Sequence, residues 1–304
     1  MRDNERVNEF NKTITECDEK QVVPLMVCVV ERIRKMRLPL AGKIIACCKD
    51  SSTSNSQCSP KFIALFLMAE KVLHFNSDIS KNVMVRLKDG YKSNVRNIDW
   101  TAKASPQVRQ NLWDLFVERE AVGGFSANDY EKMFSDCFSA LARSESHLLC
   151  LILWLFKGFA TSERMDFVEE IVKKKPATSS LLDKMLLWHA QIRVSTCSQE
   201  NAREIETRIC GLQLDSGAFA TVEGMKEDGV LLSSAIGLLV LISCAKRKDM
   251  GNQSATSEGS IIDAVQKTVR WIVGHITDVI DESVAWAYYA LCEYIDFEST
   301  TKKR

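Results

Sequence analysis

Apolar residues recur at spacings of three and four along almost the whole chain, while strict alternation over five or more residues is scarce. A helix repeats every ~3.6 residues and a half-buried strand every two, so this rhythm restricts the chain to an all-α fold. Residues 22–36 show it plainly. Val22, Val23, Met26, Val29, Val30 and Ile33 form one stripe, and Glu31, Arg32, Arg34 and Lys35 hold the other face. Pro39 lacks a backbone N–H and crowds the preceding turn, so it is expected to separate this helix from a second over 40–48.

Start signals divide the rest. Ser59-Pro60 and Ser105-Pro106 each place a capping hydroxyl before a proline in the first helical position. Ser126, Ser144, Ser162, Thr178 and Ser198 are the expected caps of five successive helices, the last running to Leu214. Two more are expected over 260–279 and 281–295, whereas Gly90, Asn94 and Asn97 reduce 78–103 to short helices and loop.

If these helices pair antiparallel, first members begin near 127, 162, 199 and 260. The pattern is similar to the irregular helix pairs of a HEAT or armadillo-like α-solenoid, although no residue signature recurs from pair to pair. The alternative is a compact globular helical domain. Its centre would be 229–245, a stretch of 17 residues without a charge, followed by Lys246-Arg247-Lys248. A bilayer-spanning helix needs about 20 apolar residues, and three serines and two glycines dilute this one, so it reads as a buried central helix. The expected organisation is an N-terminal helix or arm at 1–20, a helical region with basic stretches at 21–122, a helical-repeat-like region at 126–298 and a basic tail at 299–304.

Eleven cysteines, an odd number, fall mostly on apolar positions of helix-like segments. Free cysteine there acts as a small hydrophobe, which points to a reducing, intracellular setting, cytoplasm or nucleus. Residues 1–20 contain no apolar run of the kind a secretory signal uses.

The search for chemistry finds no motif. Gly42-Lys43 is followed by Ile44 and lacks the glycine-rich approach that cradles phosphate. His147 and Cys150 share a helix face but have no second ligand pair, and Glu70 with His74 lacks the repeated Glu-x-x-His of a carboxylate-bridged metal bundle. His189 and His275 stand alone in sequence. No catalytic residue, metal ligand or cofactor is assigned.

Charge is balanced overall, 40 basic against 40 acidic residues, but it is unevenly placed. Arg32, Arg34, Lys35, Arg37, Lys43 and Lys49 face only Glu31 over 28–49, and Lys88, Lys92 and Arg96 belong to a second basic stretch over 80–109. Residues 111–136 are acidic, with six carboxylates against two cations. Arg32, Arg34, Lys35, Arg37, Lys88, Lys92 and Arg96 are therefore the candidate basic binding face. On the last helix Trp286, Tyr289 and Tyr294 cannot all occupy one narrow stripe, which makes them candidate aromatic interaction residues.

These features point first to a non-enzymatic intracellular scaffold or adaptor, a protein-binding subunit of a larger complex. The second reading is a helical protein that holds nucleic acid on the basic face. The third is a helical enzyme without a recognisable motif. None involves a membrane.

Overall fold

The computed structural model describes residues 22–49, 58–73, 78–91, 113–114, 116–118, 120, 180–193, 198–221, 230–249 and 258–301 of the 304. These form eight bounded helices: α1 (Val22–Lys49), α2 (Pro60–Val72), α3 (Asp78–Gly90), α4 (Leu181–Arg193), α5 (Gln199–Leu212), α6 (Leu231–Asp249), α7 (Glu258–His275) and α8 (Glu282–Thr301). Among the described residues no strand forms beyond an isolated bridge between Gln213 and Phe219. The expected helices from Ser105 to Lys174 lie almost wholly outside the described residues, as do the 1–20 arm and Lys302 to Arg304.

Local chemistry opens three helices. Ser59 Oγ accepts from the Phe62 amide with Pro60 beginning α2, Ser198 Oγ accepts from the Asn201 amide 3.1 Å away, and Asp281 Oδ1 accepts from the Val284 amide at 3.0 Å. Each side chain satisfies an amide that the first helical turn leaves without a carbonyl. Pro39 departs from expectation, since α1 continues through it as one 28-residue helix. The ring lies on the exposed side. The Lys35 carbonyl that has lost its partner is on the same side, where water can replace the missing bond. The opposite side buries Leu25, Val29, Ile33, Met36 and Leu40, at spacings of three and four.

Two compact units divide the chain. One comprises Met1–Leu40 with Glu206–Arg304, the other Ala41–Ile205. The first unit is therefore built from two separate stretches of sequence and the second from one.

In the first unit α6 packs against both α7 and α8. It is buried from Ser233 to Ala245, which accounts for the uncharged stretch in the sequence. No described helix is long and apolar enough to cross a membrane. Two of the three serines of α6 are satisfied where they are buried, because Ser243 Oγ donates to the Leu239 carbonyl at 2.8 Å and Ser234 Oγ accepts from the Phe219 amide at 3.0 Å. Gly237 leaves room for the Phe219 ring, whose carbons would stand 2.5 Å from an added Cβ.

Hydrogen bonds hold the turn that follows α5, within residues 213–221. Leu214 donates its amide to Ala218, Gly217 to Leu214, and Val230 to Phe219. The Gln213 side-chain amide donates to the Ala264 carbonyl and to Thr268 Oγ1, both at 2.7 Å, tying the turn to α7.

The second unit buries α2 on nearly every side, from Phe62 through Phe66 and again from Met68 to Glu70. Buried Glu70 accepts a hydrogen bond from Ser80 Oγ on α3. Val83 and Leu87 of α3 and Leu181, Met185, Leu187, Trp188 and Ile192 of α4 add to its apolar interior.

Candidate functional site

Of the candidate basic face, four residues lie on α1 in the first unit and Lys88 on α3 in the second. Arg32 is half-buried, and its Nε–H donates to the Val273 carbonyl at 3.2 Å, in the last turn of α7. A cation there meets a carbonyl that the helix leaves open and the negative end of its dipole, so Arg32 is a helix-capping residue. Arg37 is half-buried too. Arg34 and Lys35 point outward from α1, and Lys88 is exposed on α3 in the other unit. Lys92 and Arg96 lie outside the described residues.

What α1 does present is a mixed stripe. Val27 is 52% exposed and Leu38 62%, and exposed Glu31, Arg34 and Lys35 lie between them. Positions 27, 31, 34 and 38 are spaced four, three and four apart, so they share one face. Two large apolar side chains left in solvent around a cationic pair form a surface that an apolar and acidic partner would complement.

The aromatic set falls elsewhere. Trp286, Tyr289 and Tyr294 are 2%, 2% and 0% exposed. Their spacing ruled out a single buried stripe, but α8 is enclosed on every side from Val284 to Tyr294, so residues pointing in all directions are core. The expectation of an accessible aromatic anchor is corrected by that enclosure. Burial, and then the carboxylate of Glu298, push the Tyr294 phenol up from its ordinary value.

The two described histidines differ in burial. His189 is buried on α4 beside Trp188. His275 is exposed at the end of α7, stacked on Trp271 with ring centroids 4.1 Å apart, and its Nδ1–H donates to the Trp271 carbonyl at 2.7 Å. The pair closes a helix end. His74, His147 and Cys150 lie outside the described residues. Among the described residues no group of three or more His, Cys, Asp or Glu side chains is arranged to hold a metal ion.

One titratable group escaped the sequence reading. Asp114 is pushed up to about 7, first by burial and then by the neighbouring Glu118 carboxylate. The two lie four residues apart, which brings like charges onto one helix face, yet nothing in the sequence says that this face is turned inward. Because the folded value lies above the ordinary 3.8, the native state binds more protons than the unfolded chain between about pH 4 and 7, and stability falls as pH rises through that window. Asp114→Asn is therefore expected to stabilise the protein at pH 8. The full shift corresponds to about 4 kcal/mol, and partial access to water reduces the expected gain to about 2 kcal/mol. At pH 4 the gain should vanish. Urea unfolding at the two pH values measures the difference.

No protein-family model matches the chain, and neither does any curated protein or solved structure.

Proposed function

We propose that the chain is a non-enzymatic helical scaffold or adaptor, a protein-binding subunit of a larger complex. The observation that carries this reading is the outward stripe of α1, where Val27 and Leu38 are left in solvent on either side of Glu31, Arg34 and Lys35, a net positive set. Apolar side chains of that size at helical spacing suit an amphipathic helix or strand edge on a partner, and the cations between them favour a partner that carries carboxylates. An intracellular setting belongs to the same proposal and is supported by the described cysteines, which are all thiols. So does the HEAT-like arrangement of helix pairs, although the enclosed α6 favours its alternative, a compact helical domain, for the unit that contains it.

Nucleic acid is the second reading, favoured by the exposure of Arg34, Lys35 and Lys88. Phosphate recognition gives no reason for exposed Val27 and Leu38, and so it ranks below a protein partner. Affinity capture from the source cells, with and without nuclease and over a range of salt, separates the two. A stoichiometric protein that survives nuclease supports the adaptor reading. Partners lost to nuclease, with binding that falls steeply as salt rises, support phosphate contacts instead.

A further inference from the structure

Three thiols meet where the C-terminal end of α1 approaches the start of α2. Cys47 and Cys48 occupy the last turn of α1, and Cys58 immediately precedes Ser59, the cap of α2. The Cys58 thiol donates to the carbonyl of Lys43 at 3.6 Å. Lys43 is one helical turn before Cys47, so this contact brings Cys58 onto the α1 face from which Cys47 projects. The Cys47 and Cys58 side chains lie within hydrogen-bonding reach of each other. Cys48 is differently held, for its backbone and Cβ pack against Gly90 at the end of α3, where an added Cβ would stand 2.6 Å from the Cys48 carbonyl oxygen. All three cysteines are half-buried, which leaves them open to small solutes.

We propose that Cys47 and Cys58 are a redox-responsive dithiol that closes into a disulfide, fastening the end of α1 to the start of α2 when a low-molecular-weight disulfide is in excess. Two thiols within hydrogen-bonding reach are close enough for side-chain rotation and a small approach to bring the sulfurs to the bonding separation of about 2.05 Å. Both belong to the same compact unit, so no rearrangement between units is required.

The steps follow from the surroundings. Burial, and then the neighbouring Cys47, raise the Cys58 thiol, whose proton is directed at the Lys43 carbonyl, so Cys58 is the slower nucleophile. Cys47 acts first. Its thiolate attacks one sulfur of the small disulfide, that S–S bond breaks, and one small thiolate leaves with the electron pair. Cys58 then gives up its proton and attacks the Cys47 sulfur, which breaks the mixed disulfide and releases the second small thiolate. The two protons lost by the cysteines pass to the two released thiolates. The protein is oxidised by two electrons and the small disulfide is reduced to two thiols.

The test uses the full chain and oxidised glutathione, with quenched alkylation and peptide mapping by mass spectrometry. The expected product is an intramolecular Cys47–Cys58 link, and both thiols should disappear at least about tenfold faster than those of buried Cys244 and Cys292. Cys48→Ser should form the same link. Cys58→Ser should instead accumulate a glutathione adduct on Cys47, because the displacing thiol is gone. Cys47 and Cys58 that stay alkylatable at equilibrium, or a link that recruits Cys48 in the unsubstituted protein, would overturn the proposal. The unsubstituted chain alone decides that point, so a variant that fails to fold does not rescue it.

Discussion

Lys246→Met is expected to lower the unfolding free energy by about 3 kcal/mol, an effect set by what the lysine leaves behind. Its ammonium lies 3.0 Å from Glu293 Oε2 and 2.7 Å from Asp296 Oδ2, joining the C-terminal half of α6 to that of α8. The Glu293 side chain is only 4% exposed, and its other oxygen accepts from the Tyr289 hydroxyl at 2.8 Å. Methionine keeps the length of the aliphatic stem but removes this cation, so the buried carboxylate loses the Lys246 charge while the Tyr289 bond remains. A buried charge stripped of its partner costs several kcal/mol, whereas removing both members costs much less. Lys246→Met combined with Glu293→Gln should therefore recover most of the loss, because the amide accepts the tyrosine bond without carrying charge. Urea unfolding of the two variants measures this. A double variant no more stable than the single one would mean that the lysine acts through packing alone.

Gly217→Ala is expected to cost more, about 4 kcal/mol. Gly217 has φ of +89°, in the left-handed region that side-chain-bearing residues rarely adopt. It also has no space, for an added Cβ would stand 2.5 Å from the Lys267 carbonyl oxygen and 2.6 Å from its carbon. Both obstacles are backbone atoms in α7, so no side chain can swing aside. The turn would have to withdraw from α7, and the Gln213 bonds to Ala264 and Thr268 would stretch with it. Equilibrium unfolding gives the magnitude. Hydrogen exchange supplies the signature, which is lost protection at the amides of Leu214 and Phe219, the donors to Ala218 and Ser234.

The parts of this fold that can be read from sequence are those decided by neighbours in the chain. Ser59, Ser198 and Asp281 cap helices because the amide each one satisfies is three residues away. The enclosure of α6 was legible for a similar reason, since 17 residues without a charge have no solvent face to offer. Pro39 was not legible, because its tolerance depends on which way the ring faces. Nor was α8. The spacing of Trp286, Tyr289 and Tyr294 suggested an accessible set, and the Lys246 contact and the Tyr289 bond help explain how Glu293 stays inside.

The candidate site divides along the same line. Arg34 and Lys35 point outward from α1 as the stripe of buried residues beside them implies. Arg32 looks equivalent in sequence, yet it caps a carbonyl 241 positions away, a separation that no local pattern encodes. Cys47 and Cys58 come together where the end of α1 approaches the start of α2, and Asp114 is raised by burial, so neither signal is present in residue spacing alone.

The most direct test of the proposed function is native mass spectrometry of the captured protein, comparing the natural chain with a variant carrying Arg34→Glu, Lys35→Glu and Leu38→Glu. The three positions are exposed, so the variant should unfold at the same urea concentration as the natural chain. The adaptor reading predicts a complex of fixed stoichiometry between the 34.3 kDa chain and a protein, insensitive to nuclease and absent from the variant. A natural chain that flies alone, or a complex that the variant forms equally well, would contradict the assignment of α1 as the binding surface.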